Sequence, residues 1–162
     1  MAKLGLENAL SNVEMTYEQV SQIGNEILDP ILEPINKLFG EISNNVNDLG
    51  VNQLRDFIVR LQLRAFELSE IKEKSSMKAT VANMLKEEVF AREFNAAEGP
   101  VTVKNNIALI KSSEEAVVEA LYELVAGMLK TKLDQILRMI DSLKSVLVSR
   151  MQEAKLTSNA LE

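Results

Sequence analysis

A repeating pattern of apolar residues in the last third of the chain constrains the fold more than any other feature. Starting at Val118, apolar side chains recur at steps of three and four residues through three eleven-residue units. The mean step, about 3.67 residues, favours a nearly straight helical seam with a slight right-handed twist. The pattern predicts a long helix that packs against other helices, and we expect this seam to form an oligomer interface. Its members are Val118, Tyr122, Val125, Leu129, Leu133, Ile136, Ile140, Leu143, Leu147 and Met151.

The composition removes most of the side chains that carry catalysis. Cysteine, histidine and tryptophan are absent from the 162 residues. Thiol nucleophiles, imidazole bases and histidine or cysteine metal sites are therefore excluded. Adjacent acids such as Glu87 and Glu88 point in different directions on a helix, so they are poor catalytic pairs. We predict a protein that is not an enzyme and that uses no cofactor, metal or small-molecule substrate.

The formal net charge of −6 is concentrated in the first third of the chain. Residues 1–50 carry eight acidic side chains and only two basic ones, Lys3 and Lys37, whereas the remainder carries sixteen of each sign. An acidic head of this kind could capture a basic host protein, as an adaptor or inhibitor does. Together with a mildly basic tail, it would also suit head-to-tail contacts between copies, which generate rings or filaments.

Hydropathy and the first residues indicate where the protein acts. No apolar run approaches the length of a membrane span, and residues 1–10 lack the pattern of a cleaved secretion signal. We expect a protein of the cytoplasm, of the host cytoplasm if it is viral, or of a virion, with no membrane partner.

The first fifty residues have a helical stripe of their own that contains two prolines. Pro30 and Pro34 each remove a backbone donor and clash with the preceding turn. Asp29 can cap a helix and Pro30 can occupy its first position. We therefore predict a break at Asp29 and a second short helix to about Leu49. We interpret residues 1–50 as an acidic, amphipathic N-terminal helical arm.

Residues 52 to about 97 contain no glycine or proline and predict one very long helix. The stretch from Ser69 to Ser76 is polar, but its lysines and glutamates are good helix formers, which favours continuity. Whether this stretch is a hinge stays open. The expected apolar contacts are Leu54, Ile58, Leu61, Ala65 and Leu68, followed by Met77, Val81, Leu85, Val89 and Phe94.

The sequence Glu98-Gly99-Pro100 predicts the end of that helix. A connection over residues 101–111 follows, with a short turn of helix at Asn106 to Ile110. Ser112 and Glu115 have the spacing of a capping box, which predicts the start of the last helix. That helix should run to about Lys155, with a frayed tail over residues 157–162.

Two long helices joined in this way are expected to fold back on each other over residues 51–156. The predicted fold is all-α: an elongated antiparallel helical hairpin with a proline-broken N-terminal arm. A two-helix hairpin cannot cover its own apolar stripes, so either the arm or further copies must pack on it. We expect a homo-oligomeric bundle or ring.

Two groups of basic residues are candidates for contact with DNA or another anion. Arg60 and Arg64 lie one turn apart on the first long helix, with Arg55 nearby. Lysine and arginine near the end of the last helix could bind phosphates, although the helix dipole favours them there in any case. The candidates are Arg55, Arg60, Arg64, Lys130, Lys132, Arg138 and Lys144.

The layout of residues 52 to about 155 resembles the UvsY-like recombination mediators of tailed phages. The resemblance is carried by a long helix beginning near Val51-Asn52-Gln53-Leu54, a glycine-containing loop, and a final helix. That helix has the form Leu121-Tyr122-Glu123-Leu124-Val125, then Ile136, Ile140 and Arg150. The resemblance implies rings that bind single-stranded DNA and load a recombinase, with the seven basic candidates as DNA contacts.

The chain departs from this family in three respects. Residues 95–100 lack the aromatic and basic side chains that the family tends to place there, the chain is acidic overall, and the acidic arm is an addition. Few aromatic side chains are present for bases to stack on. Two alternatives therefore stand beside a mediator: a virion, scaffold or connector protein that acts by self-association, and an acidic adaptor or inhibitor of a host protein.

Overall fold

The described part of the chain is entirely helical apart from short turns. A computed structural model describes residues 2–46 and 48–159, with side chains described within residues 16–156. This part contains four helices and no strands: α1 Ala2–Asn45, α2 Val51–Ala96, α3 Val101–Lys111 and α4 Ser113–Asn159. The helices pack against each other as a bundle, which confirms the predicted all-α class. The frayed tail was predicted to begin at Thr157, but α4 continues to Asn159, and the last three residues lie outside the described part.

The N-terminal helix is not broken at its prolines. α1 is one helix of 44 residues with Pro30 and Pro34 inside it, so the predicted break at Asp29 and separate helix to Leu49 are wrong. An interior proline costs a helix about 3 kcal/mol. Burial of each large aliphatic side chain contributes about 1.5–3 kcal/mol, and α1 buries Leu28, Ile35, Leu38 and Ile42. Tertiary packing therefore offsets the two local breaks.

The connection between α1 and α2 is a tight turn closed by hydrogen bonds. The Asp48 amide donates to the Asn45 carbonyl at 2.9 Å. At the start of α2, the Gly50 amide donates to Gln53 Oε1 at 2.9 Å. This is the return half of a capping box, since a side chain at the third helical position satisfies the amide of the residue that precedes the helix. The turn therefore fixes where the long second helix begins.

The segment between α2 and α4 is more helical than predicted. Gly99 has a φ of 107°, a left-handed conformation that glycine adopts without steric cost. α3 then spans all of residues 101–111, not only a turn within it. The capping box predicted at Ser112 and Glu115 is wrong. The Ser112 hydroxyl donates back to the Leu109 carbonyl at 3.4 Å, and Oε2 of Glu115 is buried without a hydrogen-bond partner.

The chain forms two compact units. Unit 1 combines the chain up to Leu28 with Lys72–Gly127, and unit 2 combines Asp29–Ile71 with the chain from Met128 onward. Helices α1, α2 and α4 each contribute a segment to both units.

Unit 2 has an aliphatic core supplied by three helical segments. In this unit α1 and α2 form an antiparallel pair, and Arg60 of α2 lies 3.5 Å from Glu41 of α1. The α4 segment completes the core. The buried side chains are Ile35, Leu38, Ile42, Leu49, Leu54, Ile58, Leu61, Ala65, Leu68, Leu129, Ile136, Ile140 and Leu143.

Unit 1 has a core of small side chains. Ala79, Ala82, Ala108 and Val125 are buried in it together with Leu28. Gly24 of α1 is also buried, and a Cβ built on it would lie 3.5 Å from Leu124 Cδ2 of α4. Small residues at such positions allow helix backbones to approach closely.

The predicted antiparallel pairing of α2 with α4 is confirmed in unit 1. Lys86 of α2 forms an ion pair with Glu119 of α4, and Lys78 of α2 lies over the ring of Tyr122. From the first contact to the second, the residue number falls from 86 to 78 in α2 and rises from 119 to 122 in α4. The two helices therefore run in opposite directions.

The apolar contacts predicted for the second half of α2 are in part wrong. Met77, Val81 and Leu85 are exposed, whereas Ala79 and Ala82 are buried. Met77 follows Leu68 by nine residues, which is two and a half turns of an α-helix. Met77 therefore lies on the face opposite Leu68, and the core face continues through the alanines.

The aliphatic core of unit 2 can be tested with a matched pair of leucines on α4. Leu129 is fully buried and Leu137 is exposed. We expect Leu129→Ala to lower the free energy of unfolding by about 2–5 kcal/mol, because a buried cavity is created. Leu137→Ala should change it by less than about 0.5 kcal/mol, as is usual at a surface. Urea denaturation followed by circular dichroism measures both, and equal losses would contradict the assigned core.

Candidate functional site

The three arginine candidates on α2 do not form one anion-binding group. Arg60 lies 3.5 Å from Glu41 and 3.8 Å from Asp56, and its guanidinium packs over the ring of Phe57. Arg64 pairs with Glu67 at 2.6 Å. Arg55 is exposed and has no ion pair among the described residues. Two of the three guanidinium groups are thus already neutralised by carboxylates of the same chain.

The basic candidates on α4 are dispersed in the same way. Lys144 lies 3.4 Å from Asp141, while Lys130 and Arg138 are exposed and make no ion pair within the described part of the chain. Asp134 and Asp141 are exposed on the same helix. Acidic and basic side chains alternate along this surface, so it has no continuous basic strip that could follow a phosphate backbone.

Lys132 is positioned for a structural role in unit 2. Its ammonium group donates to Asn36 Oδ1 at 2.5 Å and lies 4.6 Å from the centre of the Phe39 ring. Burial lowers the pKa of Lys132 below its ordinary value of 10.5, because desolvation disfavours the charged form. The side chain joins α4 to α1 and its ammonium group is already engaged by Asn36 and Phe39, which makes it a poor phosphate contact.

The apolar seam of α4 lies largely inside the chain. Val125, Leu129, Ile136, Ile140 and Leu143 are buried. Of the remaining predicted interface residues, Tyr122, Leu133 and Leu147 are half-buried, and Val118 and Met151 are exposed. In one copy of the chain, the central part of this seam is therefore covered by the other helices. Only its margins are accessible to a second copy.

A groove between α2 and α4 in unit 1 has a mainly apolar lining. It has a volume of about 340 Å³ and is lined by Met77, Lys78, Val81, Ala82, Leu85, Val118 and Tyr122. The only charged group in this lining, the Lys78 ammonium, lies 5.0 Å from the centre of the Tyr122 ring. The groove is open to solvent, since Met77 is 67% exposed. We call it the apolar groove.

A second groove between α2 and α4 in unit 1 is polar. It has a volume of about 480 Å³ and is lined by Ser76, Ala79, Thr80, Asn83, Glu119, Glu123 and Ala126. The carboxylate of Glu119 is held by the Lys86 ammonium. The described residues contain no group of three or more side chains suited to hold a metal ion.

Further apolar side chains outside the predicted seam are exposed on helix surfaces. On α2 these are Val59, Leu63, Phe66 and Met84, and on α3 they are Val103, Ile107 and Ile110. The sequence reading missed them because it followed one apolar face for each helix. Their own spacing of four and three residues is a signal of a second face.

None of the described helices is long and apolar enough to cross a membrane. Comparison of the chain with protein-family models, with curated proteins and with solved structures found no match. The resemblance to the UvsY-like mediators stays a prediction.

The environment of Lys132 predicts a specific pH dependence. Between its lowered pKa and 10.5, the folded chain binds fewer protons at this site than the unfolded chain, so this residue makes stability rise with pH in that window. Lys132→Met removes that dependence. We expect the stability of the variant relative to the wild type to decrease as pH rises from neutral towards 10.5.

Unfolding by urea at a series of pH values measures this difference. Lys130→Met, at an exposed position of α4, is the control for loss of a surface ammonium group. A stability difference for Lys132→Met that stays constant across the alkaline range would contradict the assigned burial.

Proposed function

We propose that the protein is a non-enzymatic helical accessory protein that acts by self-association, as a scaffold, connector or other assembly component does. One observation carries the proposal: large apolar side chains are exposed in organised rows on helix surfaces. The main examples are the apolar groove and the exposed apolar residues of α2 and α3 described above.

The physical basis is the cost of leaving such surfaces in water. Folded monomers seldom expose large contiguous apolar patches, and those that do use them for binding. Phe66 is 74% exposed and Ile110 is 71% exposed. Full burial of one such side chain contributes about 1.5–3 kcal/mol. A few of them in one interface can offset the entropy lost on association.

The chemistry of the chain supports a binding role over a catalytic one. The sequence lacks histidine and cysteine, and most charged candidates are engaged by neighbouring side chains. The acidic composition also favours protein partners over nucleic acid, because each phosphate contact requires a basic group that is available to it.

Mediation of recombination on single-stranded DNA is our second proposal. The observation that favours it is the presence of three exposed basic side chains, Arg55, Lys130 and Arg138, without ion pairs among the described residues. We rank it second because the other four basic candidates contact carboxylates, an amide or an aromatic ring of the same chain.

Mass photometry at low and high salt tests the first proposal. Apolar contacts persist when charges are screened, so we expect a defined oligomer whose mass does not change when salt is raised. A chain that stays monomeric at every concentration and salt would overturn the proposal. An oligomer that dissociates at high salt would instead indicate head-to-tail association of the acidic and basic ends.

The same measurement with an added oligonucleotide tests the second proposal. If the protein is a mediator, a labelled single strand should bind at low salt and be released as salt rises, because binding releases counterions from phosphates. Arg55→Ala should weaken that binding. Failure to bind at low salt, where phosphate contacts are strongest, would remove the second proposal and leave the first intact.

A further inference from the structure

The apolar groove of unit 1 is cationic at one end and aliphatic at the other. On α2 its lining runs from Met77 to Leu85, an advance of roughly 12 Å along the helix axis. Lys78 lies at the Met77 end, and its ammonium group is 5.0 Å from the centre of the Tyr122 ring. Because α4 runs antiparallel to α2, Val118 lies one turn closer to the Leu85 end. The groove therefore has the polarity of an amphiphile.

The buried floor and exposed walls of the groove suit a single alkyl chain. Ala82 is buried, and its small side chain leaves a recess between the two helices. Val81 and Leu85 are exposed beside it, so an apolar chain in the recess would remove part of their surface from water. Met77 is exposed at the edge, and its unbranched, flexible side chain can adapt to a bound chain.

The Lys78 ammonium determines the charge of the ligand. It is the only charged group among the lining residues, and no described carboxylate forms an ion pair with it. Lys86, outside this lining, is by contrast paired with Glu119. An ammonium group carries three donors, so its contact with the Tyr122 ring leaves donors for a ligand. An anionic head group can therefore bind Lys78 without displacing a carboxylate of the same chain.

We propose that the apolar groove binds a free single-chain amphiphile with an anionic head group, such as a medium-length fatty carboxylate. The head group contacts Lys78, and the chain runs along Val81, Leu85 and Val118. Small-molecule sites commonly combine a mainly apolar lining with a few polar groups that fix the orientation of the ligand. The groove is a recess between two helices, which favours a free molecule over the flat surface of a lipid bilayer.

This inference goes beyond the proposed function and does not rest on it. Every residue of the site belongs to unit 1 of one copy, so the ligand binds whether or not copies associate. The exposed apolar residues of α3 and those at positions 59, 63 and 66 of α2 lie outside the groove lining. They stay available for association when the groove is occupied.

Three ligands with the same chain and different head groups test the charge preference. Decanoate, decanol and decyltrimethylammonium are titrated below their micelle-forming concentrations into protein labelled with ¹³C at the methionine methyl groups. We expect the Met77 signal to shift and that of Met151, on α4, to stay. Decanoate should bind about tenfold more tightly than the other two, because only it pairs with the ammonium group. Equal affinities, or equal shifts at both methionines, would overturn the proposed site.

Charge reversal at Lys78 tests the position of the head group. The Lys78→Glu variant should lose its preference for decanoate and bind decyltrimethylammonium more tightly instead. Lys130→Glu, also at an exposed position, is the control and should bind like the wild type. Circular dichroism should show the same helix content for both variants. A Lys78→Glu variant that keeps the wild-type preference would contradict the assignment of this residue.

A matched pair of leucines tests the position of the chain. Leu85 is 48% exposed on α2 and Leu137 is 47% exposed on α4. Leu85→Glu should weaken decanoate binding by about tenfold or more, since it places a carboxylate where the apolar chain lies. Leu137→Glu should leave the affinity unchanged. Equal effects of the two variants would mean that the chain does not lie in the groove.

Vesicles of anionic phospholipid separate a free amphiphile from a membrane surface. Co-sedimentation with vesicles that depends on Lys78, without binding of decanoate, would overturn the inference in favour of a membrane. The proposed function is judged separately by mass photometry. Oligomers that bind no decanoate would refute the ligand site alone, and a monomer that binds decanoate would refute only the proposed function.

Discussion

The aliphatic core of unit 2 is the constraint on which the rest of the structure depends. Segments of α1, α2 and α4 bury large aliphatic side chains together there, including Ile35, Leu61 and Ile136. This burial keeps α1 helical through two prolines, each of which would break an isolated helix. It also fixes the rotation of α2 and α4 about their axes.

Unit 1 has a different character. There the inward positions of α2 carry Ala79 and Ala82, while the larger Met77 and Val81 face solvent. Close approach of helices needs small side chains, and the buried Gly24 on α1 is consistent with this. The apolar side chains that unit 1 leaves exposed, among them Met77 and Val81, are part of the surface we assign to association. The same packing thus determines both the core and the surface left over for a partner.

The helix class and most helix limits could be predicted from the sequence, because they follow from local pattern. The seam of α4 and the lack of glycine and proline in α2 indicated both long helices, which span Val51–Ala96 and Ser113–Asn159. The continuity of α1 could not be predicted, since local rules favour a break at Pro30 and only tertiary burial opposes it. Similarly, the Ser112 hydroxyl can cap the start of α4 or donate to a carbonyl of α3. Which of these bonds forms depends on α3.

The candidate sites were harder to predict, because a list of residues does not say which neighbours they will meet. Arg60 and Arg64 share a face as expected, but Glu41 comes to Arg60 only when α1 folds against α2. The sequence alone predicts a possible DNA contact at Lys132, whereas its contacts with Asn36 and Phe39 arise from tertiary packing. The exposed rows on α2 were present in the sequence as spacings of three and four. They could be assigned to the outside only after the inner face was known.

The half-turn offset between Leu68 and Met77 has a consequence for how such a chain can change. Two residues advance an α-helix by about 200°, so removal of two residues between these positions would turn Met77 and Val81 inward and the alanines outward. The amino-acid composition would hardly change, yet a surface available to a partner would become interior. In this chain, helix phase determines which side chains form the core and which are exposed to a partner. A small change in the length of α2 would therefore exchange core and surface positions, which a substitution would not do.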